Sequence, residues 1–340
     1  MRKLLLGTTA LAAAATLSVN SAIADVSISG YTEFLYQSRS SNVAANDGTS
    51  MGSDSEIKIS FSNKTDSGLD IAMVTEIMTD SGDTSSAAGS ANGGVIDESH
   101  ISIAGGFGKI VLGGQDGAAD NYGIDAEDVV SEEIQATGTD TLALLDTDVE
   151  ATDVDNNKIT YHLPAMGGLT AGISFTDDGT DSTSGNQDSI GIGAQYKMEA
   201  GGASITIGGA TYNQEQVSGT VDVESQNMGV SIVSGDITLK VAQATYEATN
   251  ADEEANGVGI KFNVSDGMSI AAYTVKVEDS TGTTDEEYAN TGAEVTYSVA
   301  SGLTAYLNIS DYDYKTGSGT GAGTTADSGT VSKLTIKATF

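Results

Sequence analysis

The sequence predicts an all-β chain, a sixteen-stranded antiparallel transmembrane β-barrel, on three observations: period-two alternation of apolar residues, turns that alternate short and long, and no helical span. The run Glu56-Ile57-Lys58-Ile59-Ser60-Phe61-Ser62 places Ile57, Ile59 and Phe61 on one face and the polar residues on the other. Lys158 to Leu163, Val258 to Val264 and Lys333 to Phe340 repeat the pattern. After the first 24 residues no stretch of 18 consecutive apolar residues occurs, so a membrane crossing has to be made by strands.

Residues 1–24 have the form of a secretory signal: Arg2 and Lys3, an apolar stretch from Leu4 to Leu17, and the small-residue site Ala22-Ile23-Ala24. The expected mature chain is 25–340. It has no cysteine, hence no disulfide framework and no thiolate metal site, although export would permit disulfides. Loss of Arg2 and Lys3 takes the formal charge from −34 to −36, which argues against a nucleic-acid partner.

Tight turns are expected at 65–68, 105–108, 164–168, 199–202, 234–236, 265–267 and 300–302. Long connections are expected near 39–55, 79–96, 115–157, 178–186, 214–222, 248–256, 280–287 and 315–329. Their strict alternation puts every tight turn at one end and every long loop at the other, as in a bacterial outer-membrane barrel with short periplasmic turns. A soluble sandwich has no reason to segregate its loops by length, and no side-chain motif recurs as a solenoid would need.

Alternation also assigns faces. Ile57, Ile59, Phe61, Ile159, Tyr161, Leu163, Ile260, Phe262, Leu334, Ile336 and Phe340 are expected to face lipid, because hydrocarbon rejects charge. The lysines at 58, 109, 158, 197, 240, 261, 276, 333 and 337 then point into the lumen. Tyrosines near strand ends, Tyr31, Tyr36, Tyr196, Tyr212, Tyr246, Tyr288, Tyr297, Tyr312 and Tyr314, suit an aromatic girdle.

The longest segment without alternation is 115–157, the third long loop. It has no Lys or Arg from Gln115 to Asp155 and carries Asp116, Asp120, Asp125, Glu127, Asp128, Glu132 and Glu133 in its first half. A loop this long in a compact domain is functional or disordered, and its flanking strands favour an insertion that folds into the barrel and narrows a water-filled pore. Asp146, Asp148 and Glu150, with Asp153 and Asp155, could offer oxygen ligands to a loop-bound Ca²⁺, though without EF-hand spacing; solvated loop charge is the plainer reading. No other cofactor is expected. His100 and His162 lie on different strands, and no G-x-S-x-G, G-x-G-x-x-G or P-loop pattern occurs, so no enzyme is expected.

The opening strand Val26-Ser27-Ile28-Ser29-Gly30, the turn and strand Gly105-Gly106-Phe107-Gly108-Lys109-Ile110-Val111-Leu112-Gly113 and the terminal Phe340 resemble the general diffusion porins of alphaproteobacteria, the Rhodobacter-like branch of the Gram-negative porin family. The resemblance spans the mature chain. It implies a trimeric barrel in outer-membrane lipid and lipopolysaccharide, passive diffusion of small hydrophilic solutes and ions, an inward third loop, and a role for Phe340 as assembly signal. Such porins oppose the acidic loop with an arginine cluster on the wall. Here the mature chain's one arginine is Arg39, at the far end of the first strand, so lysines would have to substitute: Lys58, Lys333 and Lys337 first, then Lys158 and Lys261. Lysine lacks arginine's rigid fork, which predicts a less defined field. The rival functions are a substrate-specific channel, for example for phosphate drawn to inward lysines, and a surface adhesin.

Overall fold

A computed structural model describes residues 25–79, 96–132, 134, 142, 144–149, 156–177, 186–216, 221–249, 251–281, 286–316 and 324–340. The expected signal, residues 1–24, lies outside them. Sixteen strands form one closed antiparallel barrel in which each strand pairs with its sequence neighbours and the last pairs with the first. They are β1 (Asp25–Ser41), β2 (Gly48–Lys64), β3 (Asp70–Met78), β4 (Ile96–Gly105), β5 (Gly108–Gly114), β6 (Asn157–His162), β7 (Leu169–Thr176) and β8 (Asn186–Ala200). The second half comprises β9 (Ala203–Gln216), β10 (Val223–Ser234), β11 (Ile237–Ala248), β12 (Ala251–Ser265), β13 (Met268–Asp279), β14 (Glu286–Ala300), β15 (Leu303–Thr316) and β16 (Thr324–Thr339).

Closure rests on a register from Tyr31 opposite Thr339 to Ser41 opposite Gly329. At the outer end of this seam Arg39 donates to Asp327 at 2.6 Å and stacks 4.8 Å above the Tyr312 ring. At the other end Gly30 and Phe340 exchange backbone hydrogen bonds of 3.2 and 3.1 Å. The tight turns fall where expected, and Gly68, Gly202 and Gly302 take the positive φ their reversals require.

Two of the expected long loops are largely strand. β1 and β2 are 17 residues each and leave only 42–47 between them, and β11 and β12 leave only 249–250. A tilted crossing strand needs about 9–11 residues. The excess rises above the apolar band, where both faces are polar and alternation disappears from the sequence although backbone pairing continues.

The same effect corrects one lysine. Val275 and Val277 are buried inside the barrel while Ile270, on the opposite parity, is exposed on its outside, so Lys276 points outward with Glu278. It pairs with Glu278 and, at 3.2 Å, with Glu287; Lys315 holds Glu287 from the next strand at 2.7 Å. The tyrosine girdle is also corrected. Tyr36, Tyr196 and Tyr297 lie exposed on the outer face, but Tyr212, Tyr288, Tyr312 and Tyr314 are buried inside the barrel, and Tyr31 and Tyr246 share the inward parity. The expected lipid face stands: Ile159, Leu163, Ile260, Phe262, Leu334, Ile336 and Phe340 are all exposed outside.

Candidate pore constriction

The segment after β5 turns into the lumen. A single helical turn, α1 (Ala118–Tyr122), packs on β6 to β9, and a 3-10 turn at Glu127–Val129 packs on β11 to β13. The chain then reaches β14 to β16 through Ser131 and Glu132. The described part of loop 3 therefore lines the wall from β6 round to β16.

Apolar burial seats it. Val129, Val130, Ile134, Leu142 and Leu144 of the loop join Tyr273, Val275, Val277, Tyr288, Tyr312, Tyr314 and Val331 of the wall in one buried cluster. Each such aliphatic side chain contributes about 1.5–3 kcal/mol when fully buried, against about 0.2–1 kcal/mol for an exposed ion pair. Packing, more than charge, holds the loop down, which is why the inner tyrosines are not available to a girdle.

Hydrogen bonds fix its register. The buried Glu294 carboxylate accepts the backbone N–H groups of Ser131 (3.0 Å) and Glu132 (3.0 Å), the Asn308 amide (2.9 Å) and the Thr296 hydroxyl (2.7 Å). Asn308 donates to Glu132 O at 2.9 Å, Asn290 to Ile134 O at 2.8 Å, and Glu253 accepts Leu144 N–H at 2.8 Å. Asn227 accepts Ile124 N–H at 3.0 Å and donates to Asp125 at 3.1 Å. These wall residues were missed in the sequence reading. Their signal was a polar side chain at inward parity on strands otherwise small or apolar inside.

The predicted loop carboxylates divide into two groups. Glu127 is buried and accepts from Thr147 N–H (2.9 Å) and Thr147 Oγ1 (2.8 Å). Burial, with the Asp146 charge beside it, pushes its carboxyl up to about 7. Asp125 and Asp148 are raised for the same reason, burial first and then neighbouring carboxylates: Asp128, Glu127 and Asp146 beside Asp125, and Asp125, Asp120 and Asp146 beside Asp148. These three hold the loop together and carry less charge at neutral pH than their number suggests. Asp128 and Glu132 face cations: Lys240 reaches Asp128 at 2.7 Å and Lys333 reaches Glu132 at 3.2 Å. Asp120 lies within α1 and Asp116 just before it, where its backbone carbonyl accepts from Asn121 at 3.3 Å. Glu133 lies outside the described residues. Of the Ca²⁺ candidates, Asp146 Oδ1 accepts Asp148 N–H at 3.0 Å; Glu150, Asp153 and Asp155 are outside the described residues.

The wall lysines also divide. Lys333 meets the loop. Lys58 pairs with Glu76, and Lys337 pairs with Glu33 at 3.0 Å and lies 3.9 Å above the Tyr31 ring. Lys158 is a correction: it is buried and donates to Gln115 O at the root of the loop, so it braces the loop instead of lining a passage. Lys261 faces inward on β12, opposite the buried Ala271. On β2, β3 and β4, Glu56, Glu76 and Asp97 bring carboxylate oxygens within 4.8 Å of one another, and Asp54 accepts the Tyr31 hydroxyl at 2.9 Å.

A closed sixteen-stranded barrel with a segment folded along its inner wall defines an outer-membrane diffusion channel. The family model described as Gram-negative porin matches residues 7–317, and the chain belongs to that family. Its fold is similar to that of an anion-selective porin from Comamonas acidovorans (TM-score 0.67, 17% identity, covering 94% of this chain and 100% of that one). It is likewise similar to the in-vitro folded trimer form of OmpT from Vibrio cholerae (TM-score 0.65, 15% identity, 93% and 99%) and to a mutant of the Rh. blastica porin (TM-score 0.62, 16% identity, 93% and 100%). A comparison with curated proteins returns no match. The protein is an outer-membrane porin through which small hydrophilic solutes diffuse.

Proposed function

We propose that loop 3 is the constriction of this porin and that the pore prefers cations. The observation that carries the preference is the pairing of four of the lumen's lysines. Lys58, Lys240, Lys333 and Lys337 each meet a carboxylate, while Asp54 and Glu56 add negative charge to the wall facing the loop. The wall that family members furnish with arginines here carries ion pairs and surplus acid. With a Debye length of about 8 Å at 0.15 M salt that charge reaches a permeating ion, and at 1 M, about 3 Å, it is largely screened. The preference is therefore modest and salt-dependent, carried by distributed carboxylates. The description of the Comamonas porin as anion-selective belongs to that protein.

A phosphate channel needs lysines turned to the solute, and the pairing just described argues against it. The fold likeness to a trimeric structure supports a homotrimer, and the apolar outer face supports a setting in outer-membrane lipid and lipopolysaccharide. Residues 1–24 act in this reading as an export signal. Excising 126–150 while keeping the strands tests the constriction: single-channel conductance and the solute size limit should both rise, and unchanged values would refute it.

A further inference from the structure

Every strand from β7 to β12 presents glycine or alanine to the lumen where loop 3 crosses it. Gly172 of β7 pairs with Gly193 of β8, and Gly208 of β9 pairs with Gly229 of β10. Ala242 of β11 sits opposite both Gly229 and Gly257 of β12, with Gly259 next on the same face. The loop lies in the trough that these missing side chains leave. A Cβ on Gly172 would stand 2.8 Å from the Tyr122 ring, and one on Gly193 2.6 Å from Ala118 O and 2.7 Å from Tyr122 Cβ. On Gly208 it would meet Ile124 Cγ1 at 2.8 Å and Cδ1 at 2.9 Å, and on Gly229 Ile124 O at 2.5 Å. On Gly257 it would meet Ala126 Cβ and Thr147 Cγ2 at 2.7 Å, and on Gly259 Val129 Cγ2 at 2.7 Å. All these contacts are to the loop, from five different strands.

These glycines face inward and have ordinary backbone conformations; none of them is at positive φ. They are also not needed to make the sheet. Glycine in a strand interior weakens pairing and gives up side-chain packing, and it recurs where another backbone approaches closely. Here the approaching backbone is loop 3, whose carbonyl groups at 118, 122, 124 and 126 lie within 3.0 Å of where a Cβ on the facing glycine would stand. Asn227, beside this track on β10, fixes the same stretch by bonding Ile124 N–H.

We infer that this glycine track is the set of positioning residues for pore aperture: the depth of the trough sets how far loop 3 stands from the wall, and so how much lumen remains open. The inference rests on the reading of loop 3 as the constriction. A methyl group at Gly208 or Gly229 cannot be absorbed by the barrel backbone, which is fixed on both sides by its ladder. The loop has to retreat toward the pore axis by about 0.6–0.9 Å to regain ordinary contact. The track thus acts as a depth stop, and substitutions there tune the size limit without touching a charge.

The test is single-channel conductance and sugar-size exclusion of G208A, G229A and the compensating pair I124A/G208A, in the full-length channel and again with 118–150 excised, which removes Tyr122 and Ile124. Gly209, facing outward with its nearest neighbour at 3.5 Å, supplies the control G209A. Conductance should fall by roughly a fifth or more in G208A and G229A, for a loop pushed inward by overpacking. It should recover in I124A/G208A, where the nearer contacts, Cγ1 and Cδ1, are gone and the Tyr122 carbonyl at 3.0 Å remains, and stay unchanged in G209A. With the loop excised, G208A and G229A should conduct like their parent. Should G208A fail to assemble, recovery of both assembly and conductance in I124A/G208A carries the same conclusion. Unchanged conductance in G208A and G229A, or an equal fall with the loop excised, would overturn the inference while leaving the constriction intact. Excision that itself leaves conductance unchanged would instead overturn the constriction reading.

Discussion

Lys333, on the strand that closes the barrel, and Glu132, at the far reach of loop 3, form an ion pair of 3.2 Å with both side chains more than four-fifths buried. The pair joins the end of the chain to the segment that crosses the pore, and it uses up a cation expected to face the solute. Replacing Lys333 by Met should therefore raise cation preference and weaken loop docking by about 3–5 kcal/mol, because the buried Glu132 carboxylate is left without its cation. Reversal potentials and susceptibility of 126–149 to protease report the two effects separately; a shift toward anions would contradict the assignment.

Glu294 is the strongest single anchor. Glu294→Ala leaves the Ser131 and Glu132 amides without their acceptor, at about 1–3 kcal/mol for each buried donor left unsatisfied. The expected outcome is an intact barrel by circular dichroism with a loop that protease cuts and a noisier open channel. An uncut loop with quiet current would show that the apolar cluster alone suffices.

Loop docking should depend on pH with a definite sign. The Glu127 carboxyl, raised to about 7 in the docked loop, ionises more readily once undocked, at about 4.3. Its contribution to docking is full below that lower value and is lost as pH rises through 7. Current noise from loop motion should then be greater at pH 8 than at pH 5, and Glu127→Gln should reduce the difference. Asp125 and Asp148, raised in the same direction, keep part of it. Noise that grows instead on acidification would reverse the sign and refute the burial argument.

Phe340 is exposed on the outer face and paired through its backbone with Gly30. Deleting it should lower the amount of assembled protein in the outer membrane more than deleting an outer-loop residue such as Asp47. Equal yields would remove its role in assembly.

The barrel was legible because Ile57, Ile59 and Phe61 alternate with Lys58 and Ser60, and a lipid face leaves no other reading. Legibility failed above the apolar band. There Lys276 and Glu278 sit outside in water-facing positions, so charge no longer marks the inner face. The tyrosines were placed by nearness to strand ends, but parity decides their side: Tyr288 shares its face with Asn290, and Tyr312 with Ser310, all buried against loop 3 or its cluster. That Asp128 and Glu132 meet cations while Asp125 and Glu127 are buried depends on the path of the loop across the wall. That path is fixed by contacts more than 80 residues apart in sequence, such as Asn227 with Ile124, and no local pattern contains it.

The most direct test of the central claim is the zero-current potential of the purified channel across a threefold KCl gradient, at 0.1 M and at 1 M on the dilute side. An acidic lumen with paired lysines predicts a potential of the sign for K⁺ over Cl⁻, clear at the lower salt and nearly gone at the higher, where the Debye length is about 3 Å. A potential of the opposite sign at low salt would mean that lysines such as Lys109 and Lys261 dominate the passage, and the account of a cation-preferring constriction would be wrong.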